Sequence, residues 1–224
     1  MKVALVVPSA GSGRRLKTSV PKPFVAVAGK PLLIHTLKRL VRNFRFDQVV
    51  VAVEARQTER VKKLLRRFRF HADVVAGGKT RAESVYKAVS NVKPSVEWVL
   101  VHDAARPWVT GKLVRRVLNA ARKTGAAICG LPATATVKKI NIKNNSVIRT
   151  EDRNSLILVQ TPQVFRKDLL EARYRRLGRG AFRCTDEAAL FDGTKINVKV
   201  AAGEARNLKI TTPEDLEFFR KFAS

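Results

Sequence analysis

Cysteine is scarce in this 224-residue sequence, which contains only Cys129 and Cys184. The two lie far apart without paired spacing, which excludes a disulfide framework and a cysteine-based zinc site. Reduced thiols are typical of the cytoplasm, so we expect a cytoplasmic protein. Long apolar runs are also lacking, because charged residues interrupt every window of the ~20 residues that a membrane helix needs. The apolar run at residues 3–7 is too short for a signal peptide and predicts a buried strand.

Acidic residues are few, since 18 Asp and Glu are outnumbered by 45 Lys and Arg, leaving a net charge of +27. Such a charge is typical of nucleic-acid-binding proteins. Aromatic residues make up only 7% of the chain, however, whereas base stacking needs them among the basic residues. We therefore interpret the charge as solvated helix faces that attract anionic substrates. In the most basic stretch, residues 60–70, a helical apolar stripe is formed by Val61, Leu64, Leu65 and Phe68.

The fold class follows from the alternation of short apolar runs with helical patterns. This alternation predicts an α/β fold with a Rossmann-like, mostly parallel, twisted sheet and helices on both of its faces. Several runs are almost continuously apolar, as strands covered on both faces require. The length and the 45% hydrophobic content favour one core, so we expect residues 1–224 to form a single domain. The predicted strands span residues 3–7, 49–53, 74–75, 98–101, 126–131 and 196–200.

The sequence predicts where two helices begin and where one of them ends. Thr110 can accept a hydrogen bond at the start of one helix, and Gly125 follows its last apolar residue as a stop. Thr212 precedes Pro213 and two acids, a strong helix start because proline suits the first position and acids suit the positive end of the dipole. We therefore predict helices after Thr110 and after Thr212.

Residues 133–159 interrupt the alternation of strands and helices. Two alternating segments, residues 136–142 and 147–150, flank a polar turn and predict a β-hairpin outside the main sheet. A protruding arm of this kind serves oligomerisation or covers a site. We interpret residues 133–159 as a β-arm inserted into the single domain, because no linker of low complexity marks a domain boundary.

The first predicted strand leads into a loop of small residues, PSAGSGRR (residues 8–15). Glycine in such a loop lets backbone amides approach a phosphate closely. The glycine spacing fits neither the P-loop nor the dinucleotide fingerprint. Basic residues instead surround the loop and can stabilise charge on a transferring phosphoryl group, although the segment alone is equally consistent with a basic surface turn. These residues are Arg14, Arg15, Lys17 and Lys22, the last between Pro21 and Pro23.

A second candidate segment, HDAARP (residues 102–107), follows the apolar strand at residues 98–101. Its Asp103 lies where a parallel strand meets the ligand crevice of an α/β sheet. A carboxylate there can hold Mg²⁺ on a triphosphate, because magnesium usually takes one or two carboxylates together with phosphate oxygens. His102 could act as a base, but a structural role is favoured since no Ser or Cys partner is evident.

With these segments in view, the chain resembles the 2-C-methyl-D-erythritol 4-phosphate cytidylyltransferases of the non-mevalonate isoprenoid pathway over nearly its whole length. The resemblance implies transfer of CMP from CTP to 2-C-methyl-D-erythritol 4-phosphate, with release of pyrophosphate. It also implies in-line attack on the α-phosphorus, without a covalent enzyme intermediate and with Mg²⁺ as cofactor. The segments that carry it are PSAGSGRRLKTSVPKPF, AGGKTRAESV, VLVHDAARP, EDRNSLILVQTPQVF, CTDEAALF and NLKITTPEDL.

The resemblance also implies roles for individual residues. Arg15 and Lys22 would be catalytic, and Asp103 would hold Mg²⁺. The cytidine triphosphate would be bound by Ser9, Ala10, Gly11, Gly78, Arg81, Ser84, Asp103 and Ala104. The second substrate would be positioned by Arg153, Lys209, Thr136, Thr161 and Thr185.

In this family the arm of one subunit reaches across the other, so the resemblance implies a homodimer in which Arg153 serves the neighbouring active site. For Thr185, which precedes two acids, an ordinary helix cap is an equally good interpretation from the residues alone. Two positions depart from the family pattern: Lys79 stands where an acid is frequent, and Ala135 where an Asp usually precedes the threonine matched by Thr136.

Two alternatives stay open on the sequence. A ribitol 5-phosphate cytidylyltransferase would share the loop and the chemistry, but HDAARP and TDEAALF favour the erythritol enzyme. A nucleic-acid-binding protein is the alternative from a different class, motivated by the net charge alone, and we expect neither nucleic acid nor a membrane as partner.

Overall fold

The computed structural model describes residues 1–11, 13–18 and 20–222; the predicted loop residue Ser12 and the side chain of Arg14 lie outside this description. The strands are β1 Val3–Ser9, β2 Ala26–Val27, β3 Lys30–Pro31, β4 Gln48–Val53, β5 Asp73–Ala76, β6 Trp98–Val101, β7 Ala126–Pro132, β8 Val137–Asn141, β9 Ser146–Glu151, β10 Ile157–Arg166 and β11 Lys199–Ala202. The α-helices are α1 Leu32–Asn43, α2 Thr58–Arg67, α3 Arg81–Val89, α4 Gly111–Thr124, α5 Lys167–Leu177 and α6 Pro213–Phe222.

A seven-stranded sheet with the order β11-β7-β10-β6-β1-β4-β5 forms the centre of the fold. Strand β10 runs antiparallel to both of its neighbours, and the other pairings are parallel. The prediction of a mostly parallel α/β sheet is confirmed. The carboxyl ends of β6, β1, β4 and β5 meet along one edge, which is where open α/β sheets bind ligands.

The helices cover both faces of the sheet, as predicted. Helices α1, α2 and α4 pack on one face through side chains such as Leu37, Leu65 and Val117. Helices α3 and α5 pack on the other face through Val85 and Leu170. Because both faces are buried, β1 and β6 are apolar on both sides and lack the alternation of a half-exposed strand.

The predicted helix ends are confirmed. Thr110 Oγ1 accepts a hydrogen bond from Leu113 N at 3.0 Å at the start of α4, and Gly125 ends this helix with a φ of +87°. Helix α6 begins at Pro213, and Thr212 Oγ1 accepts from Asp215 N at 3.3 Å. In α2 the predicted apolar face is buried at Val61 and Leu65 and half-buried at Leu64, and Phe68, directly after the helix, is half-buried.

Two strand predictions need correction. Pairing of β11 with β7 begins only at Lys199, because Ile196 N donates to Thr194 Oγ1 at 3.3 Å and keeps the preceding residues in a turn. Residues 157–159, assigned to the arm, begin the long strand β10. The sequence did not predict β10, because a proline such as Pro162 inside an apolar run argues against a central strand. In the structure the pairing of β10 with β7 shifts register around this proline, between Gln160 and Val164.

The predicted arm is present as the antiparallel hairpin β8–β9, which pairs with itself outside the main sheet. Its apolar side chains are largely uncovered: Ile142 is 88% exposed and Val147 61%. In the described part of the chain, no helix is long and apolar enough to cross a membrane.

The end of α4 generates a stability prediction. We expect Gly125→Ala to lower the free energy of unfolding by about 1–2 kcal/mol, because alanine is strained at a φ of +87° and its Cβ would lie 2.5 Å from Leu169 Cδ1. Urea unfolding followed by circular dichroism measures the change. Gly180→Ala is the matched control, since an added Cβ there meets nothing within 4 Å, and should change stability by less than about 0.5 kcal/mol. Equal losses in the two variants would contradict the argument.

Candidate active site

A pocket of about 350 Å³ opens at the carboxyl ends of β1 and β6, beside the start of α3. Its size lies within the range of small-molecule sites. The wall contains both predicted catalytic residues, all of the predicted nucleotide-binding residues and Lys209, which come from four separate segments of the chain. These residues are Ser9, Ala10, Gly11, Arg15, Lys22, Gly78, Arg81, Ser84, Asp103, Ala104 and Lys209.

The small-residue loop after β1 forms one side of the pocket. Gly13 has a φ of +63°, and a Cβ there would lie 2.8 Å from Lys22 Cβ, so glycine allows the loop to fold against Lys22. Ser9 is buried, and within the described part of the chain its hydroxyl has no hydrogen-bond partner. Because an unpaired buried hydroxyl is unfavourable, Ser9 Oγ is suited to bind a ligand in this pocket.

A glycine turn before α3 forms the opposite side. Gly78 N donates to Ser84 Oγ at 3.0 Å, and Ser84 Oγ donates to Thr80 O at 2.8 Å. Thr80 also caps α3 by accepting from Glu83 N at 3.1 Å. These bonds place backbone groups and the start of a helix next to the pocket, an arrangement that favours anions.

Lys22 lies in a short 3₁₀ turn held between Pro21 and Pro23, and its ammonium donates to Ile210 O. Burial lowers the pKa of Lys22, and the nearby charge of Lys209 adds to this shift while Asp103 opposes it, so that the pKa lies at about 8. Lys22 is therefore mostly charged at neutral pH and loses its proton as the pH rises through about 8.

Asp103 forms the centre of the charges in this pocket. Its Oδ1 lies 3.0 Å from Arg81 Nε, and its Oδ2 lies 2.7 Å from Lys209 Nζ. Arg106 Nε lies 3.9 Å from the same Oδ2. Burial alone would raise the pKa of Asp103, but the charges of Arg81 and Lys209, with Arg106, hold it well below its ordinary value. The carboxylate is therefore ionised and holds these cations in place.

Behind Asp103, buried side chains support the end of β6. Asp103 N donates to Thr161 Oγ1 at 3.1 Å, and that hydroxyl lies 3.2 Å from His102 Nδ1. His102 Nε2 lies 3.1 Å from Arg106 O. Burial lowers the pKa of His102 to about 4, so the ring is neutral, and the structural role favoured for His102 fits its buried position.

The remaining predicted residues do not line this pocket. Thr161 is buried behind Asp103, whereas Thr136 and Arg153 are exposed at the base of the arm, where Arg153 Nη1 donates to Thr134 O at 2.8 Å. Thr185 is exposed, and the interpretation of it as a helix cap is wrong, because Asp186 Oδ1 accepts from Ala189 N at 3.2 Å instead.

The sequence interpretation assigned no site role to several residues that shape the pocket, among them Lys79, Thr80 and Glu187. Lys79 and Thr80 line its wall. Glu187, fully buried, accepts from Arg81 Nη1 at 2.9 Å with both carboxylate oxygens. The sequence signal for Glu187 was its position in the motif TDEAALF, directly before the apolar residues AALF. An acid that is buried with such residues needs a cation as partner.

Comparison with known proteins identifies the family of this chain. The model of the IspD family, 2-C-methyl-D-erythritol 4-phosphate cytidylyltransferase, matches residues 3–221. This chain belongs to that family. It is therefore a nucleotidyltransferase. A cytidylyltransferase of this name from Solibacter usitatus is 38% identical over 233 residues, covering 99% of this chain and 96% of the relative. One from Bacillus mycoides is 36% identical over 220 residues, covering 97% and 96%.

Solved structures are similar as well. The 4-diphosphocytidyl-2C-methyl-D-erythritol synthase of Anaerococcus prevotii matches with a TM-score of 0.85 at 30% identity, covering 99% of this chain and 98% of that one. The Rossmann-like sheet and its helices are thus the fold of solved members of the IspD family.

The lowered pKa of Lys22 generates a prediction for this cytidylyltransferase. We expect kcat/KM for CTP to fall as the pH rises through about 8, because the protonated, charged form exists below that pKa and is lost above it. Initial rates of pyrophosphate release between pH 6.5 and 9.5 measure the profile. In Lys22→Arg the guanidinium stays charged, so this alkaline decline should disappear. An unchanged decline in Lys22→Arg would assign it to another group.

Proposed function

We propose that the pocket transfers CMP from CTP to 2-C-methyl-D-erythritol 4-phosphate, forming 4-diphosphocytidyl-2-C-methyl-D-erythritol and pyrophosphate for isoprenoid precursor synthesis. The observation that carries the proposal is that Arg15, Lys22 and Lys209 line one pocket together with ionised Asp103. In this proposal residues 1–224 form one nucleotidyltransferase domain, into which the hairpin β8–β9 is inserted.

The nucleotide lies between the loop after β1 and the glycine turn before α3. Ala10, Gly11, Gly78 and Ala104 offer backbone groups at short range because their side chains are small or absent. Ser9 Oγ and Ser84 add hydroxyl groups, and Arg81 and Asp103 set the charge on the inner wall. Within the described part of the chain, five cationic side chains and one carboxylate line the pocket, which favours a polyanion: Arg15, Lys22, Lys79, Arg81, Lys209 and Asp103.

Mg²⁺ is the proposed cofactor, with Asp103 as its protein ligand. Among the described residues, no group of three or more His, Cys, Asp or Glu side chains is arranged to hold a metal. A lone carboxylate fits magnesium bound mainly through triphosphate oxygens and water, and Asp103 lines the pocket in its ionised form. When bound, the ion neutralises phosphate charge and assists departure of pyrophosphate.

The proposed chemistry is a single in-line displacement. A phosphate oxygen of methylerythritol phosphate forms a bond to the α-phosphorus of CTP, and the bond from that phosphorus to the bridging oxygen breaks, its electron pair leaving with pyrophosphate. The attacking oxygen is already anionic, so no general base is required. Lys22 and Arg15 offset the negative charge that accumulates as the two phosphates approach.

The second substrate is positioned by Lys209 and by the arm. Thr136, Thr161 and Thr185 stay predictions for hydroxyl contacts, and Arg153 supplies a guanidinium for the substrate phosphate. We propose that Arg153 acts in the pocket of a second copy of this chain within a homodimer. The exposed apolar side chains of β8–β9, including Ile142 and Val147, support a contact between copies.

We also propose that the enzyme acts in the cytoplasm. Cys129 and Cys184 are both free thiols, which supports a reducing compartment.

Replacing Lys22 tests the reaction itself. We expect the native protein to release pyrophosphate from CTP with methylerythritol phosphate and not with ribitol 5-phosphate. Lys22→Ala should reduce kcat by a factor of about 10³ or more, because a fixed cation that stabilises the transition state is lost. Lys123→Ala, which removes an exposed lysine in α4 far from the pocket lining, is the control and should keep native kcat. Turnover of ribitol 5-phosphate alone would replace the proposed substrate.

Mixing two inactive variants tests the arm. We expect Lys22→Ala and Arg153→Ala to be inactive separately. After subunit exchange at equal amounts, about a quarter of all sites should be active, because one site of each mixed dimer combines an intact Lys22 with an intact Arg153 from its neighbour. Pyrophosphate release measures the recovery. No recovery, with mixed dimers demonstrated by differently tagged subunits, would place Arg153 at the site of its own chain.

A further inference from the structure

Glu187 is a fully buried carboxylate to which the proposed reaction assigns no role. It lies in the turn before the 3₁₀ segment Ala188–Phe191. Its Oε1 and Oε2 both accept from Arg81 Nη1 at 2.9 Å. Isolating a carboxylate from water is strongly unfavourable unless a cation pairs with it, so Glu187 and Arg81 depend on each other.

Gln163 of strand β10 forms hydrogen bonds with the turn that carries Glu187. Glu187 N donates to the side-chain oxygen of Gln163 at 3.3 Å, and Gln163 Nε2 donates to Asp186 Oδ2 at 2.7 Å. Gln163 itself is fully buried and pairs with Val101, two residues before Asp103. The turn that carries Glu187 is therefore fixed to the same strand end that carries Asp103.

Arg81 bridges the two carboxylates through different nitrogen atoms. While Nη1 is held by Glu187, Nε lies 3.0 Å from Asp103 Oδ1. A guanidinium is planar, so fixing one nitrogen restricts the direction of the others. Glu187 does not line the pocket, whereas Arg81 and Asp103 do.

We propose that Glu187 is a positioning residue of the nucleotide site: by holding Arg81 Nη1, it keeps Arg81 Nε on Asp103 and so sets the orientation of the Asp103 carboxylate. This inference rests on the proposed function. Without Glu187, Arg81 keeps its charge but loses the contact that fixes its plane. The catalytic step should then suffer more than binding of the second substrate, whose predicted contacts include Arg153 and Thr136 outside this cluster.

The test is Glu187→Gln, which keeps the shape of the side chain and removes its charge. We expect kcat to fall about tenfold or more, as is typical when a supporting hydrogen bond behind a reactive group is lost, with KM for methylerythritol phosphate changed less than about threefold. Glu204→Gln is the matched control, since both Glu204 oxygens also accept from one donor, Thr110 Oγ1, at 2.8 and 3.0 Å, away from the pocket. It should keep native kcat.

A double-mutant cycle with Arg81→Lys separates positioning from general loss of structure. If Glu187 acts through Arg81, adding Glu187→Gln to Arg81→Lys should lower kcat by less than about threefold further. Equal reductions in both backgrounds, or an equal loss in Glu204→Gln at matched stability, would overturn the inference. Should Glu187→Gln fail to fold by circular dichroism, Glu187→Asp, which retains the charge on a shorter side chain, is carried through the same cycle.

The result for the unmodified protein distinguishes the two proposals. Absence of pyrophosphate release from the native chain refutes the proposed function. Native activity together with an unchanged kcat in Glu187→Gln refutes only the role of Glu187.

Discussion

The ionised Asp103 carboxylate is the interaction on which the rest of the pocket depends. Arg81, Arg106 and Lys209 come from distant parts of the chain and would repel one another without it. A buried anion that binds several cations fixes their positions before any substrate arrives. Cations that are already in position stabilise the charge of a transition state without further reorganisation. The ion pairs of Asp103 are therefore the feature of the fold that suits the pocket to phosphoryl transfer.

Burial, together with the same crowding of cations, explains the lowered pKa of Lys22. Its ammonium is partly buried near Lys209 and Arg15, and these surroundings lower its pKa to about 8 even though Asp103 opposes the shift. The 45 Lys and Arg residues are spread along the whole chain, whereas the pocket depends on a few cations at fixed positions. Surface charge can attract any anionic substrate over a distance. Only cations at fixed positions can distinguish a triphosphate from other anions by the spacing of its phosphates.

Much of the fold and the pocket could be predicted because the relevant signals are local. The apolar run of β1, the small residues that follow it and the position of Asp103 after β6 require only neighbouring residues and the rule that parallel strands end together. Strand β10 was missed because Pro162 interrupts its pattern. The contact between Arg81 and Glu187 joins residues 106 positions apart, and no local pattern indicates which buried charges will meet.

The distribution of buried polar groups connects stability with function. His102, Thr161 and Gln163 lie beneath the pocket, and their hydrogen bonds go to backbone groups, to one another or, for Gln163, to Asp186 Oδ2. Among the described residues that line the pocket, Ser9 has a hydroxyl without a hydrogen-bond partner, and five cationic side chains outnumber one carboxylate. A polyanionic ligand would satisfy both deficits at once. In the proposed function a bound triphosphate would offset the excess of positive charge, and part of its affinity would come from groups whose positions the fold has already fixed.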